Sequence, residues 1–183
     1  MLKRIILVTG PSGIGKTSIL RRTVKELKKR GYEIGGMICR EVHEGGLRVG
    51  FELMDLSTGQ RGWLAHVNQT TGPAVGKYHV NLTDLEVIGA GSILDAIQNA
   101  DIIAIDEIGP MEFLSTAFSN ALLKAVESSK PLLGTIHYNL SNSIIKDIKM
   151  REDTQIIVVT PENRATLNNI IAKKITNCLV DNL

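Results

Sequence analysis

The chain has 183 residues, of which 43% are hydrophobic and 22% are charged, and its formal net charge is +2. Its length suits one domain, residues 1–183, and its near-balanced charge argues against a nucleic-acid binder that works through overall charge. Three Phe, three Tyr and one Trp offer little surface for stacking on single-stranded bases, so we expect no nucleic-acid partner.

The two cysteines, Cys39 and Cys178, are far apart in sequence, and the four histidines are scattered without zinc-ligand spacing. This usage favours free thiols in a cytoplasmic protein. The basic and then apolar N-terminus superficially suggests a signal peptide, but its apolar stretch is short and leads into a functional loop. No run approaches the ~18 apolar residues that span a bilayer. We therefore expect a cytoplasmic protein that does not bind a membrane, and we expect it to be a monomer.

The first part of the chain predicts the start of an α/β sheet. Ile5–Thr9 is a β-branched apolar run, as expected of a strand buried on both faces. A glycine-rich loop follows, and then a predicted helix over residues 16–30, with Gly31 as its C-terminal cap. Residues 34–39 predict a second strand, so the order is strand, loop, helix, strand.

The middle of the chain interrupts this alternation. Residues 49–56 and Arg61–His66 predict two strands joined by a turn, which we interpret as a β-hairpin inserted into the α/β scheme. Residues 68–76 predict a loop, and residues 77–80 predict a further short strand.

The α/β alternation resumes at Thr83, which forms a capping box with Glu86 and is predicted to open a helix that ends near Asn99. A third buried strand is predicted at residues 102–105. A last helix is predicted to begin at Pro161, behind a Thr160 cap. Between this strand and this last helix, the sequence predicts helices at 116–127 and 142–149, and strands at 132–136 and 155–159.

Residues 10–17, with the sequence G-P-S-G-I-G-K-T, match the phosphate-binding pattern G-x-x-x-x-G-K-[ST] throughout. Glycines let backbone amides approach phosphate oxygens, and the start of the following helix adds partial positive charge. Lys16 would contact the β- and γ-phosphates, and the Thr17 hydroxyl would ligate Mg²⁺. The predicted nucleotide-binding residues of this loop are Gly10, Pro11, Ser12, Gly13, Ile14, Gly15, Lys16 and Thr17.

A second candidate segment is the apolar strand that ends in Asp106 and Glu107. Carboxylates at the C-terminal end of a buried strand face the ligand crevice of open α/β sheets. Asp106 fits a residue that holds Mg²⁺ through water, and Glu107 fits one that orients or deprotonates the attacking water. Two solvated acids at a strand end are the alternative, which the complete phosphate loop disfavours.

The motifs leave open whether the γ-phosphate is transferred to water or to another acceptor. Kinases with this loop usually need an arginine-rich lid, whereas the arginines here are dispersed, and the Asp-Glu pair favours water. Hydrolysis is the first hypothesis. The alternatives are a small-molecule or nucleotide kinase, with a pocket formed by the hairpin and residues 68–76, and a nucleotide-gated binding switch.

Five segments occur in an order that points to a family: the phosphate loop, R-E-V-H-E-G-G-L-R-V-G-F (40–51), V-G-K-Y (75–78), I-D-E-I-G-P-M-E (105–112) and E-N-R (162–164). Together they resemble the small nucleoside-triphosphatases first noted in thermophiles, which include the cancer-related nucleoside-triphosphatase. The resemblance covers nearly the whole chain. Its phosphate loop is generic, whereas the D-E-I-G-P-M-E stretch (106–112) and the R-V-G-F hairpin (48–51) are much more particular.

The resemblance implies Mg²⁺-dependent hydrolysis of ATP, GTP and other triphosphates to the diphosphate and phosphate. It implies a P-loop, RecA-like, mostly parallel sheet flanked by helices, in which another strand lies between the phosphate-loop strand and the acidic strand. By match, Ile108 and Gly109 join Asp106 and Glu107 as nucleotide-contacting residues. One departure is His137, where a proline is expected. It would sense the γ-phosphate or be a hydrogen-bonded loop residue.

Four further residues are weaker candidates for nucleotide contact. Asn163 and Arg164 open the last predicted helix and could touch base or ribose, with helix capping as the alternative. Lys77 and Arg48 could act as trans-acting cations, with ordinary surface positions as the alternative.

Overall fold

The computed structural model describes residues 3–180, so both ends of the predicted 1–183 domain lie outside the described residues. Its strands form one sheet in the order β5-β6-β4-β3-β2-β7-β8-β1-β9. They are β1 (Ile5–Thr9), β2 (Ile34–Glu44), β3 (Leu47–Asp55), β4 (Arg61–His66), β5 (Ala74–Val75), β6 (Tyr78–Val80), β7 (Ile102–Ile108), β8 (Leu132–Ile136) and β9 (Thr154–Val158).

The helices are α1 (Lys16–Lys29), α2 (Leu82–Asp84), α3 (Gly91–Asn99), α4 (Thr116–Glu127), α5 (Ser143–Met150) and α6 (Leu167–Val180). A π-helical segment, Leu85–Ala90, joins α2 to α3, and a 3-10 turn, Glu112–Leu114, precedes α4. Within residues 3–180, no helix has both the length and the apolar character needed to cross a bilayer.

The parallel half of the sheet consists of β2, β7, β8, β1 and β9. Every residue of β1 and β8 is buried, because α1 and α6 pack on one face of the sheet while α3, α4 and α5 pack on the other. The strand β8 lies between β1 and β7, so the RecA-like order that the resemblance implied is confirmed. A β-carbon on Gly134 of β8 would lie 2.8 Å from Leu7 Cδ2 in β1 and 3.2 Å from Ile108 Cδ1 in β7.

The antiparallel half, which we call the wing, consists of residues 40–80. The strand β2 continues past its expected end at Cys39 and turns back into β3 at Gly45 and Gly46, whose φ angles are 55° and 82°. The prediction of a separate inserted hairpin was therefore incomplete, because β3 and β4 extend the main sheet through β2. The predicted loop 68–76 also contains β5, which pairs with β6.

Two predicted helix starts were wrong. The helix that follows the wing begins at Leu82, and its N-cap is Asn81, whose Oδ1 accepts a hydrogen bond from Asp84 N at 3.1 Å. An asparagine caps at least as well as a threonine, and it stands two residues ahead of the predicted Thr83 cap.

The last helix begins at Leu167 rather than at Pro161. The side chain of Asn163 explains the difference: its Oδ1 accepts from Thr160 N at 3.0 Å, and its Nδ2 donates to Val158 O at 2.9 Å. These local bonds hold a turn and compete with helical backbone bonds.

Candidate active site

The phosphate loop connects β1 to α1 at the C-terminal edge of the parallel half. Gly13 and Gly15 have φ angles of 77° and 110°, which side chains other than glycine rarely adopt. Pro11 and Ser12 are exposed, and Pro11 O accepts a hydrogen bond from Ile14 N at 3.3 Å. The loop therefore has the glycine-dependent turn that the motif requires.

The side chain of Lys16 folds back onto the first residue of this loop. Its side chain is buried, and its Nζ donates to Gly10 O at 3.1 Å. An ammonium group has three donors, so further donors are left for phosphate oxygens. Lys16 can therefore bind a phosphate chain held by the loop.

Asp106 links three elements: its own strand β7, the start of α1 and the strand β8. Its Oδ1 accepts hydrogen bonds from Thr17 Oγ1 at 3.1 Å and from Thr135 Oγ1 at 2.5 Å. Its Oδ2 is buried without a hydrogen-bond partner among residues 3–180. Burial raises the pKa of Asp106 to about 6, although the hydroxyl groups of Thr135 and Thr17 oppose the shift.

This arrangement fits a divalent cation. Mg²⁺ prefers carboxylate, hydroxyl and phosphate oxygens, and it commonly uses few protein ligands beside the substrate phosphates. The free Oδ2 of Asp106 and the adjacent Thr17 hydroxyl stand next to the phosphate loop. The donor set therefore suits Mg²⁺.

Glu107 follows Asp106 through a cis peptide bond and is half-buried. The pairing of β7 with β8 shifts register between Ile105 and Ile108, so Asp106 and Glu107 are not paired with β8, although Asp106 pairs with Ile38 of β2. The Ile108 side chain is buried in the core, and Gly109 follows it. A β-carbon on Gly109 would lie 3.7 Å from Glu107 Oε1, so that carboxyl group lies near Gly109.

Two residues of the site had no assigned role in the sequence analysis. Thr135 was overlooked because its contact with Asp106 depends on β8 lying beside β7; the RecA-like order was the signal that could have found it. Glu112 belongs to the 105–112 segment and is buried, and burial raises its pKa to about 8, with the charges of Glu107 and Asp106 adding to the rise. Its place in that segment was its only sequence signal.

His137 lies beside the acidic segment. Its N donates to Ile108 O at 3.1 Å, and its Cβ would be 3.8 Å from a β-carbon on Gly109. The strand order therefore brings this exposed side chain to the edge where Glu107 lies.

Arg48 and Lys77 come together on the wing. Arg48 Nε donates to Tyr78 Oη at 2.9 Å, and its guanidinium lies 4.9 Å from the centre of the Phe51 ring. Lys77 Nζ donates to Arg48 O at 2.8 Å. Both cations are thus engaged in contacts that hold the wing.

Asn163 lies in the turn that follows Val159, and Val159 is next to the start of the phosphate loop. A β-carbon on Gly10 would lie 3.2 Å from Val159 O, and Val159 N donates to Thr9 O at 2.8 Å. The Asn163 side chain itself bonds to Thr160 and Val158 in the turn before α6, so it does not cap that helix, which begins at Leu167. Arg164 is exposed, and its carbonyl oxygen accepts from Arg22.

Comparison with known proteins agrees with this geometry. A family model described as NTPase matches residues 5–172. The nucleoside-triphosphatase THEP1 of Thermofilum pendens is 46% identical over 178 residues, which cover 97% of this chain and 98% of the relative. THEP1 of Methanosarcina barkeri is 41% identical over 170 residues, covering 92% and 95%.

Two solved structures have the same fold. The crystal structure of THEP1 from the hyperthermophile Aquifex aeolicus matches with a TM-score of 0.82 and 26% identity, covering 93% of this chain and 98% of that one. The solution structure of a human cancer-related nucleoside triphosphatase matches with a TM-score of 0.80 and 32% identity, covering 95% and 98%. The predicted fold class and family resemblance are confirmed, and the chain belongs to the NTPase family.

Proposed function

We propose that this protein hydrolyses nucleoside triphosphates to the diphosphate and phosphate with the help of Mg²⁺. The observation that carries the proposal is the contact between Thr17 and the buried carboxylate of Asp106 beside the phosphate loop. Membership of the NTPase family supports hydrolysis.

Binding is the task of the phosphate loop. The amides of residues 10–15 and the N-terminus of α1 hold the phosphates, and Lys16 neutralises their charge. The Thr17 hydroxyl, and Asp106 through water, would hold Mg²⁺, which would neutralise part of the negative charge on the phosphates. Ile108 and Gly109 complete the second nucleotide-contacting segment through their backbone, because the Ile108 side chain is buried in the core.

Glu107 is the proposed catalytic base. A water oxygen attacks the γ-phosphorus in line with the bond to the leaving diphosphate, and the water proton passes to the Glu107 carboxylate. The phosphorus–oxygen bond to the diphosphate breaks as the new bond forms. Lys16 and the loop amides stabilise the developing negative charge, so Lys16 acts in catalysis as well as in binding.

The test is phosphate release from ATP, GTP, CTP and UTP with and without Mg²⁺, alongside nucleotide binding measured by calorimetry. We expect Mg²⁺-dependent release from several triphosphates. Lys16→Ala should abolish binding because it removes the buried cation. Glu107→Gln should keep binding and lose about 10²- to 10⁴-fold in kcat because it removes the base.

Other outcomes would favour the competing hypotheses. Release that needs an added acceptor would indicate a kinase, and release that needs a macromolecular partner would indicate a switch. Equal and mild effects of the two substitutions would contradict the assigned roles. We further propose that the protein is a monomer, that it has a loose preference for the base, and that it acts in the cytoplasm. Light scattering during gel filtration measures its molar mass and so tests the proposed monomer.

A further inference from the structure

The carboxyl group of Glu112 is buried behind the proposed catalytic base. Glu112 is 4% exposed and opens the 3-10 turn that follows β7. A β-carbon on Gly109 would lie 2.9 Å from Glu112 Oε2 and 3.7 Å from Glu107 Oε1. The two carboxyl groups therefore lie around the same point, and the missing side chain of Gly109 leaves the space between them open.

Three carboxyl groups are gathered here without a counter-charge in contact. Among residues 3–180, no Lys, Arg or His forms an ion pair with Asp106, Glu107 or Glu112. Arg21 acts on Asp106 only through its more distant charge. Neighbouring carboxylates in a buried place cannot all ionise, because each charge opposes the next.

The surroundings decide which of the three keeps its proton. Asp106 accepts hydrogen bonds from two hydroxyl groups, which favour its charged form, and Glu107 is half-exposed to solvent. Glu112 is buried and has no side-chain hydroxyl donor among the described residues; only the backbone of Gly109 and its own backbone favour its ionised form. Its pKa of about 8 agrees with a neutral acid at pH 7.

The groups that face Glu112 from other elements do not change this assignment. Cys39 on β2 is a buried thiol whose pKa is raised well above its ordinary value by burial, so it stays neutral. Glu107 and Asp106 on β7 raise the pKa of Glu112 further, and His137 follows β8 near Gly109. Phe113, the residue after Glu112, packs its ring edge-on against Phe118 of α4, with the ring centres 6.1 Å apart.

We propose that Glu112 is a positioning residue: as a neutral carboxylic acid it sets the orientation of the Glu107 carboxylate for the attacking water. The neutral acid adds no repulsion and offers a hydrogen-bond donor on the Gly109 side of Glu107. Once ionised, Glu112 repels Glu107 and turnover falls. The inference rests on the proposed hydrolysis and on the role of Glu107 in it.

The test compares Glu112→Gln, Glu112→Ala and the exposed control Glu86→Gln, with kcat and KM for ATP and Mg²⁺ measured from pH 6 to 10. The parent protein and the control should lose kcat above about pH 8 with KM unchanged, because Glu112 ionises there. Glu112→Gln should keep kcat near the parent value at pH 7 and lack this alkaline decline. Glu112→Ala should lower kcat about tenfold with little change in KM.

The same alkaline decline in Glu112→Gln, or parent-like kcat in Glu112→Ala, would overturn the proposal. If Glu112→Ala fails to fold, as judged by circular dichroism, the pH profile of the glutamine variant decides alone.

A second readout does not need activity. Infrared spectra of protein labelled with ¹³C in its glutamate carboxyl groups should show a protonated carboxylic acid at pH 7. Its band should titrate near pH 8 and be missing in Glu112→Gln. A band that persists in the variant, or no band in the parent protein, contradicts a neutral Glu112. A band with no phosphate release would instead show that the proposed function has failed while the neutral acid stands.

Discussion

At the scale of single residues, the proposed active site depends on polar side chains that are buried and shared between elements. Asp106 is the clearest case, because the hydroxyl groups that hold its Oδ1 come from α1 and β8, two elements far apart in sequence. Such shared bonds fix a carboxylate more firmly than solvent contacts do, since buried polar groups are costly to leave unpaired.

Thr135→Val tests this arrangement. It keeps the shape of a fully buried side chain and removes the donor to Asp106 Oδ1. We expect a loss of about 1–2 kcal/mol in the free energy of unfolding and about tenfold in kcat, because one hydrogen bond to a buried charge is lost. Chemical denaturation and phosphate release measure the two effects. Unchanged turnover would show that the Thr17 contact alone positions Asp106.

The raised pKa of Glu112 predicts how stability depends on pH. Burial raises this pKa from 4.5 to about 8, so between these values the folded protein holds a proton that the unfolded chain releases. Glu112 therefore makes the free energy of unfolding fall as pH rises from about 5 to about 8. Denaturation at several pH values should show a flatter profile for Glu112→Gln than for the parent protein and for Glu86→Gln. Parallel profiles would contradict a raised pKa.

At the scale of elements, β2 approaches β7 so closely that one position admits only glycine. A β-carbon on Gly36 of β2 would lie 2.1 Å from Ala104 O of β7, and its φ angle is 112°. Gly36→Ala should therefore lower the free energy of unfolding by more than about 3 kcal/mol, because the strands must separate.

Gly46→Ala is the matched control. Gly46 also has a positive φ angle, 82°, but nothing lies within 4 Å of its β-carbon position. Only backbone strain remains there, about 1–2 kcal/mol. Comparable losses of unfolding free energy in the two variants, measured by thermal denaturation, would mean that β2 and β7 do not approach each other closely at Gly36.

What the sequence could predict at this scale depended on the range of the interactions. Residues 10–17 and the strand before them were predictable because a local motif and a local apolar run define them. Asp106 and Glu107 were predictable as the end of such a run. Thr135 and Glu112 were not predictable. The role of Thr135 depends on which strands are neighbours, and that of Glu112 depends on a turn that no periodicity of apolar residues predicts. Thr160 and Pro161 predicted the start of α6 wrongly, because the Asn163 side chain bonds to the backbone of Thr160 and Val158 and holds a turn there.

At the scale of the whole molecule, the parallel half and the wing share one strand. β2 pairs with β7 through residues 34–38 and with β3 through residues 37–44. The wing and the parallel half therefore form one continuous sheet, and no break in the hydrogen bonding separates them at β2. This continuity supports the proposal that the chain forms one domain.

Trp63, the only tryptophan of the chain, lies in β4 and reports on the wing. We expect unfolding curves from its fluorescence to coincide with those from far-ultraviolet circular dichroism, which reports on all elements, because β2 couples both halves. Urea titration measures both signals in one sample. A wing transition at lower urea would show that the two halves unfold separately.

The position of Gly134 has a consequence for how this enzyme can change. Side chains from β1 and β7 lie against this buried position, so a side chain added there would press on the two strands that carry the phosphate loop and the acidic pair. Substitutions that alter the rate need not line the site. We expect a methyl group added at Gly134 to displace Leu7 or Ile108 and with them the ends of β1 and β7, so the rate can be tuned from the interior of the protein.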